Sequence, residues 1–161
     1  MYSSHLAAIL VAPLIAAVAV TAAPVQAAGT TPFSITETVD FTGAGDNTFT
    51  ATGPLCPSGT FTDDIHNFAP NSDASAAPDH SGGFSIHIRT VYTCDDGSGS
   101  FYARKSQRID FVENGFTATG PIQLTGGTGD YVSLRGHGVD TGTADFDEGS
   151  GVGLITGVVT S

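Results

Sequence analysis

The chain has 161 residues with five Lys/Arg against 16 Asp/Glu, a formal net charge of −11 at pH 7, 21 glycines, two cysteines and no tryptophan. That length suits one domain able to bury a core of its own. The acidity speaks against nucleic acid and anionic membrane surfaces as partners, because both are held by a positive patch.

The chain opens on an apolar run, Leu6 to Val20, followed by small residues as far as Ala28. The run is too short for a membrane-spanning helix, and polar turn chemistry follows it. It reads as an export signal, residues 1–28, cleaved after Ala27 or Ala28, although no Lys or Arg precedes it. The mature domain is then 29–161, secreted and without membrane attachment. Every Asp, Glu, Lys and Arg lies in it, so the charge stays at −11. In an oxidising compartment Cys56 and Cys94 are expected to form one disulfide, because no Cys-x-x-Cys or nearby His spacing offers a metal pair instead.

Phe33 to Phe41 alternates apolar and polar residues with period two and predicts a half-buried strand. After the turn Gly43 to Asn47, Thr48 to Thr52 predicts a second strand, and Gly59 to Ile65 a third. Asn67 to Gly83 has little to bury and is expected to be a mobile surface loop, or a lid over a barrel mouth. Phe84 to Thr93 is a strong strand, turned at Asp95 to Gly99 into a partner over Ser100 to Val112. On that partner Phe101, Ala103, Lys105, Gln107, Ile109 and Phe111 share one face, opposite Tyr102, Arg104, Arg108 and Asp110. Strands over Phe116 to Leu124, Tyr131 to Ala144 and Gly151 to Thr160 complete the chain. The hexapeptide FTATGP occurs at Phe49 to Pro54 and again at Phe116 to Pro121. It reads either as a trace of half-barrel duplication or as a common way to end a strand. These elements make an all-β fold, a single small antiparallel β-barrel of about eight strands, calycin-like, with no convincing helix.

Thr125 to Val139, TGGTGDYVSLRGHGV, is the most distinctive stretch, with glycines suited to a tight bend before a strand. GGTGDYVSLRG resembles the GGTG, aromatic, two residues, Ala-Arg-Gly pattern of the dirigent and allene oxide cyclase-like barrels, as a secreted bacterial-type member would show it. Leu134 stands where the pattern usually has alanine. The resemblance implies an eight-stranded barrel that confines a reactive intermediate, and it points to Arg135.

The candidate ligand site combines Arg89, Arg108 and Arg135 with His87, His137, Asp110 and Tyr131, all on expected strands. In a small barrel, lumen-facing side chains from distant strands converge, and Arg or His beside a carboxylate in an apolar cavity holds a carboxylate or polarises a carbonyl. Strand parity alone leaves open which face is inner. His66, His80, His87 and His137 lack metal-ligand spacing, and the acidic turn Asp145 to Gly151 lacks the bidentate Glu of a calcium loop, so no metal and no cofactor is expected. No nucleophile elbow or phosphate loop is present, and no residue set compels a reaction. The first functional expectation is a binding module for a small apolar or carboxylated ligand. A cyclase- or dirigent-like enzyme or stereochemical guide, and an inert structural secreted protein, are the alternatives. The oligomeric state is left open.

Overall fold

The structure, a computed structural model, describes residues 29–70 and 83–160, and of residues 67–70 the backbone alone. The strands are β1 (Thr30–Asp40), β2 (Thr48–Thr52), β3 (Ser58–Pro70), β4 (Phe84–Cys94), β5 (Ser100–Val112), β6 (Gly115–Gly127), β7 (Arg135–Asp145) and β8 (Ser150–Thr160). Each pairs antiparallel with the next, and β8 returns to β1 from Thr30↔Thr160 to Asp40↔Ser150, closing the barrel. Closure removes the exposed sheet edges that an acidic, glycine-rich chain would otherwise have to protect. Among the described residues no helix is long and apolar enough to cross a membrane.

Two boundaries differ from the sequence expectation. The third strand runs to Pro70, because β4 offers a free ladder as far as Phe84 and the backbone pairs with it despite its Ala/Pro composition. The first part of the expected loop is therefore strand, and residues 71–82 lie outside the described residues, as do residues 1–28, where an export signal is expected. The seventh strand starts at Arg135 instead of Tyr131. Gly129–Tyr131 forms a single 3-10 turn, with Gly126 and Gly129 at φ 109° and 57°. The turn breaks the alternation, so Tyr131 and Leu134 both reach the core, Tyr131 with its ring 5.4 Å from Phe101.

The barrel interior has two unlike halves. At the end holding Thr30 and Thr160, Phe33, Phe49, Phe61, Tyr92 and Phe101 are buried together. Tyr92 and Phe101 stack at 4.6 Å, and Phe49 meets them edge-on at 5.2 and 5.7 Å. Burying each such ring contributes roughly 1.5–3 kcal/mol, so this end is a solid plug. The Cys56–Cys94 disulfide closes it, with Cα atoms 5.9 Å apart.

Toward the other end the filling thins to Ile86, Ile88, Ile109 and Ala118, with Phe84 and Phe116 beside them. Here Gly142, Gly151 and Gly153 of β7 and β8 line the interior, and at these three positions no side chain fills it. β2 is also short. It pairs with β3 only at Thr48↔Thr60, Phe49↔Gly59 and Thr50↔Ser58, and Asp63 and Ile65 beyond that seam are exposed. The two FTATGP copies behave differently. The first ends β2 with Gly53 at φ 88°, whereas the second lies inside β6, where a Cβ on Gly120 would come within 1.9 Å of the Ser106 carbonyl of β5. The shared hexapeptide thus serves two local structures.

Candidate binding site in the barrel lumen

Between plug and mouth, polar side chains project from five strands into the interior. Each occupies an inward position on an alternating strand: Glu37 on β1, Asp63 on β3, Thr90 and Tyr92 on β4, Lys105 and Gln107 on β5, Asp140 on β7. Lys105 Nζ donates to both Glu37 oxygens at 2.5 and 2.8 Å and lies 3.4 Å from Asp140 Oδ2. The Tyr92 hydroxyl donates to Glu37 Oε1 as well. Gln107 Nε2 donates to Asp140 Oδ2 at 2.7 Å, and Thr90 Oγ1 to Asp63 Oδ1 at 2.6 Å. Glu37, Lys105 and Asp140 are 4%, 3% and 1% exposed, so the charges survive only because each meets an opposite charge or a donor.

Three carboxylates surround one ammonium, and the imbalance shows in the titration of the site. Loss of hydration raises the Asp140 carboxyl above its ordinary value, with Lys105 opposing and Glu37 reinforcing the rise. Asp63 is open to solvent beside the short β2, yet desolvation by the surrounding wall raises it too, again against Lys105. Burial works to lower the Lys105 ammonium, but Glu37, Asp140 and Asp63 outweigh it, and its pKa is raised. Burial and the neighbouring Glu37 push the Tyr92 phenol well up, so it stays a donor.

A carboxyl that holds its proton more tightly folded than unfolded stabilises the fold in acid and loses that contribution as pH rises. The loss begins near the unfolded value, 3.8 for Asp140, and is complete above the raised folded pKa. Stability should therefore fall across this window. The slope should shrink in Asp140→Asn and shrink further in Asp63→Asn/Asp140→Asn, read from thermal midpoints at stepped pH. An unaltered slope in the double variant would assign the pH dependence elsewhere.

Above this polar floor the cavity measures ≈ 130 Å³ and is walled by Val39, Ile86, Ile88, Ile109, Phe116 and Ala118. Phe41 lines it as well, its ring 6.1 Å from that of Phe116. The arrangement can take an apolar group and offer carboxylate oxygens to a donor at its base.

The residues singled out from sequence lie elsewhere. His87, Arg89, Arg108, Asp110, Arg135 and His137 all occupy outward positions on β4, β5 and β7, so they do not converge in the lumen. Arg108 forms an exposed ion pair with Asp110 at 2.9 Å, two residues along the same strand. His87 and Arg89 line an outer groove with Arg104, and Arg135 and His137 line a shallow depression next to it. Tyr131 is buried in the plug, its hydroxyl 3.2 Å from Ser98 Oγ. The face rich in Arg and His is the outer one; the inner face is the apolar one, and it carries its own charged residues. Arg135 is exposed, with Nη1 donating to the Leu134 carbonyl at 2.6 Å. Arg135→Leu should accordingly shift stability by no more than about 1 kcal/mol in thermal unfolding. A larger loss would mean that Arg135 also supports the glycine bend at Gly126.

The acidic turn before β8 is held by its own backbone, with Asp145 Oδ1 accepting from the amides of Asp147 and Glu148. Among the described residues no group of three or more His, Cys, Asp or Glu is placed to hold a metal ion. No protein-family model, no curated protein and no solved structure matches the chain.

Proposed function

We propose that this protein is a secreted binding module that takes a small, mainly apolar ligand into the open half of the barrel, with a hydroxyl or amine head on the carboxylate floor. The observation that carries the reading is the contrast between the two halves: one end packed solid with aromatic rings, the other a cavity walled by isoleucines and floored by Glu37, Asp63, Lys105 and Asp140. An apolar cavity of about 150 Å³ holds benzene, so one ring or a short branched chain fits the observed space. A carboxylated ligand suits the floor poorly, because three carboxylates already outnumber the one ammonium. The disulfide supports export, since such bonds persist in oxidising compartments.

A second reading follows from the raised Asp63 and Asp140 carboxyls, which can hand a proton to a bound intermediate as a cyclase- or dirigent-like guide would require. Titration with phenol, benzylamine and benzoate, followed by methyl NMR at Ile86, Ile88 and Ile109, tests the binding reading. Phenol and benzylamine should give saturable shifts, with benzoate at least about tenfold weaker. Ala118→Phe should abolish them by filling the cavity from β6. No saturable shift with any probe would leave an inert, structural barrel.

A further inference from the structure

Apart from Lys105 in the lumen, the chain's basic residues stand on the outer wall formed by β4, β5 and β7. Register sets Asp64, Arg89, Arg104, Gln123 and His137 side by side across five strands, with His66 opposite His87 in the next outward row. Arg89 and Arg104 are direct cross-strand partners, a placement of like charges that is unfavourable unless something negative lies between them. No ion pair among the described residues supplies it. Among the described residues the ion pairs are His66 with Asp64, Lys105 with Glu37 and with Asp140, and Arg108 with Asp110. Asp64, the carboxylate nearest in register to Arg89, turns instead to His66 at 2.6 Å. The two arginines share a half-open groove of ≈ 340 Å³ with His66, His87, Ser106 and Gln123, a lining that contains no carboxylate. In a chain of net charge −11, that is a positive site with no carboxylate in its lining.

We infer that this groove binds the phosphate or sulfate group of a small molecule, held between the guanidinium groups of Arg89 and Arg104 with His87 and Gln123 as further donors. The choice of a tetrahedral group follows from donor number. One guanidinium fork already satisfies the two oxygens of a carboxylate, whereas two forks approaching from neighbouring strands match an anion with three or four oxygens. The site is separate from the lumen, on the opposite side of the β4–β5 wall, and it stands or falls independently of the binding reading above.

The test is a titration of the folded protein with sodium sulfate, sodium phosphate and sodium acetate at constant ionic strength, followed by amide and guanidinium NMR shifts. Phenyl phosphate and phenyl sulfate in parallel distinguish which ester is preferred. Sulfate or phosphate should give saturable shifts centred on Arg89, Arg104 and His87, at midpoints at least about tenfold below that of acetate. Arg89→Gln and Arg104→Gln should each weaken binding by about tenfold or more, while Arg108→Gln, whose guanidinium is already paired with Asp110, should leave it unchanged. Shifts that grow linearly without saturating, equal responses to all three anions, or equal weakening by Arg108→Gln would overturn the site and reduce it to general screening of surface charge.

Discussion

Lys105→Met is expected to destabilise the protein by about 3–5 kcal/mol, the usual result of stranding buried charge by removing one partner. The ammonium donates to both oxygens of Glu37 and lies 3.4 Å from Asp140, and it also sits 5.8 Å above the rings of Phe61 and Tyr92. Methionine matches the stem in length and keeps most of the packing, so the loss reports charge more than volume. Without Lys105, Glu37 keeps the Tyr92 hydroxyl and Asp140 keeps Gln107, but two nearly dehydrated carboxylates then face each other with no cation. The deficit should shrink as the pH falls toward about 4, because the raised Asp140 carboxyl takes up its proton and removes part of the charge that Lys105 balanced. Adding Glu37→Gln to Lys105→Met should recover much of the loss, since the amide still accepts from Tyr92 and carries no charge. Urea unfolding of the two variants at two pH values settles this. A loss below about 1 kcal/mol in Lys105→Met would show that water reaches the floor and solvates it.

The strand plan was legible because the alternation is strong. Phe84 to Thr93 and Ser100 to Val112 carry apolar residues at every second position, and their hairpin turn is rich in Asp and Gly. The sequence also held a signal for the lumen network. Lys105 and Gln107 fall in step with Phe101, Ala103 and Ile109, and Glu37 falls in step with Phe33, Ile35 and Val39, so each is a polar residue on an apolar face. Such a residue must either break the strand or meet a partner inside, and three of them on strands of one barrel point to a shared polar floor. Asp140 was harder to read, because its inward companions on β7 are Gly136, Gly138 and Gly142, and a glycine face has no hydropathy to mark it. The arginines and histidines drew attention by their chemistry, yet their step with Val91 and Tyr102 rather than with the isoleucines placed them outside. The 3-10 turn at Gly129–Tyr131 left no trace in the alternation, since Tyr131 and Leu134 are both buried although an unbroken strand would set them on opposite faces. The short β2 matters as well: Thr48 to Thr52 carries the alternation of a strand, but that a five-residue strand leaves Asp63 and Ile65 open is a property of the closed sheet and not of the segment.

Replacing both Cys56 and Cys94 by alanine should cost about 4 kcal/mol, the chain-entropy value for a crosslink between residues 38 apart in sequence. The place of the bond sharpens that expectation. Cys56 lies in the link between β2 and β3, and Cys94 ends β4, so the disulfide ties that link to β4 right beside the seam at which β2 holds β3 by three residue pairs. Every other neighbouring pair of strands is joined along a longer ladder, which makes this seam the weakest part of the closed sheet. Loss of the bond should therefore do two things: lower the thermal midpoint of the whole domain, and speed amide exchange first in β2 and the start of β3. The amides of Ala51, bonded to the Pro57 carbonyl, and of Phe61, bonded to that of Asn47, are the local reporters. Both cysteines are buried against Leu55 and the aromatic plug, so part of the loss will be packing. Comparing the double variant with reduced wild-type protein isolates the crosslink from the packing. If reduction alone left both the midpoint and the exchange of Ala51 and Phe61 unchanged, β2 would be held by its side chains, with Phe49 in the aromatic plug as the principal anchor, and the disulfide would be incidental to barrel closure.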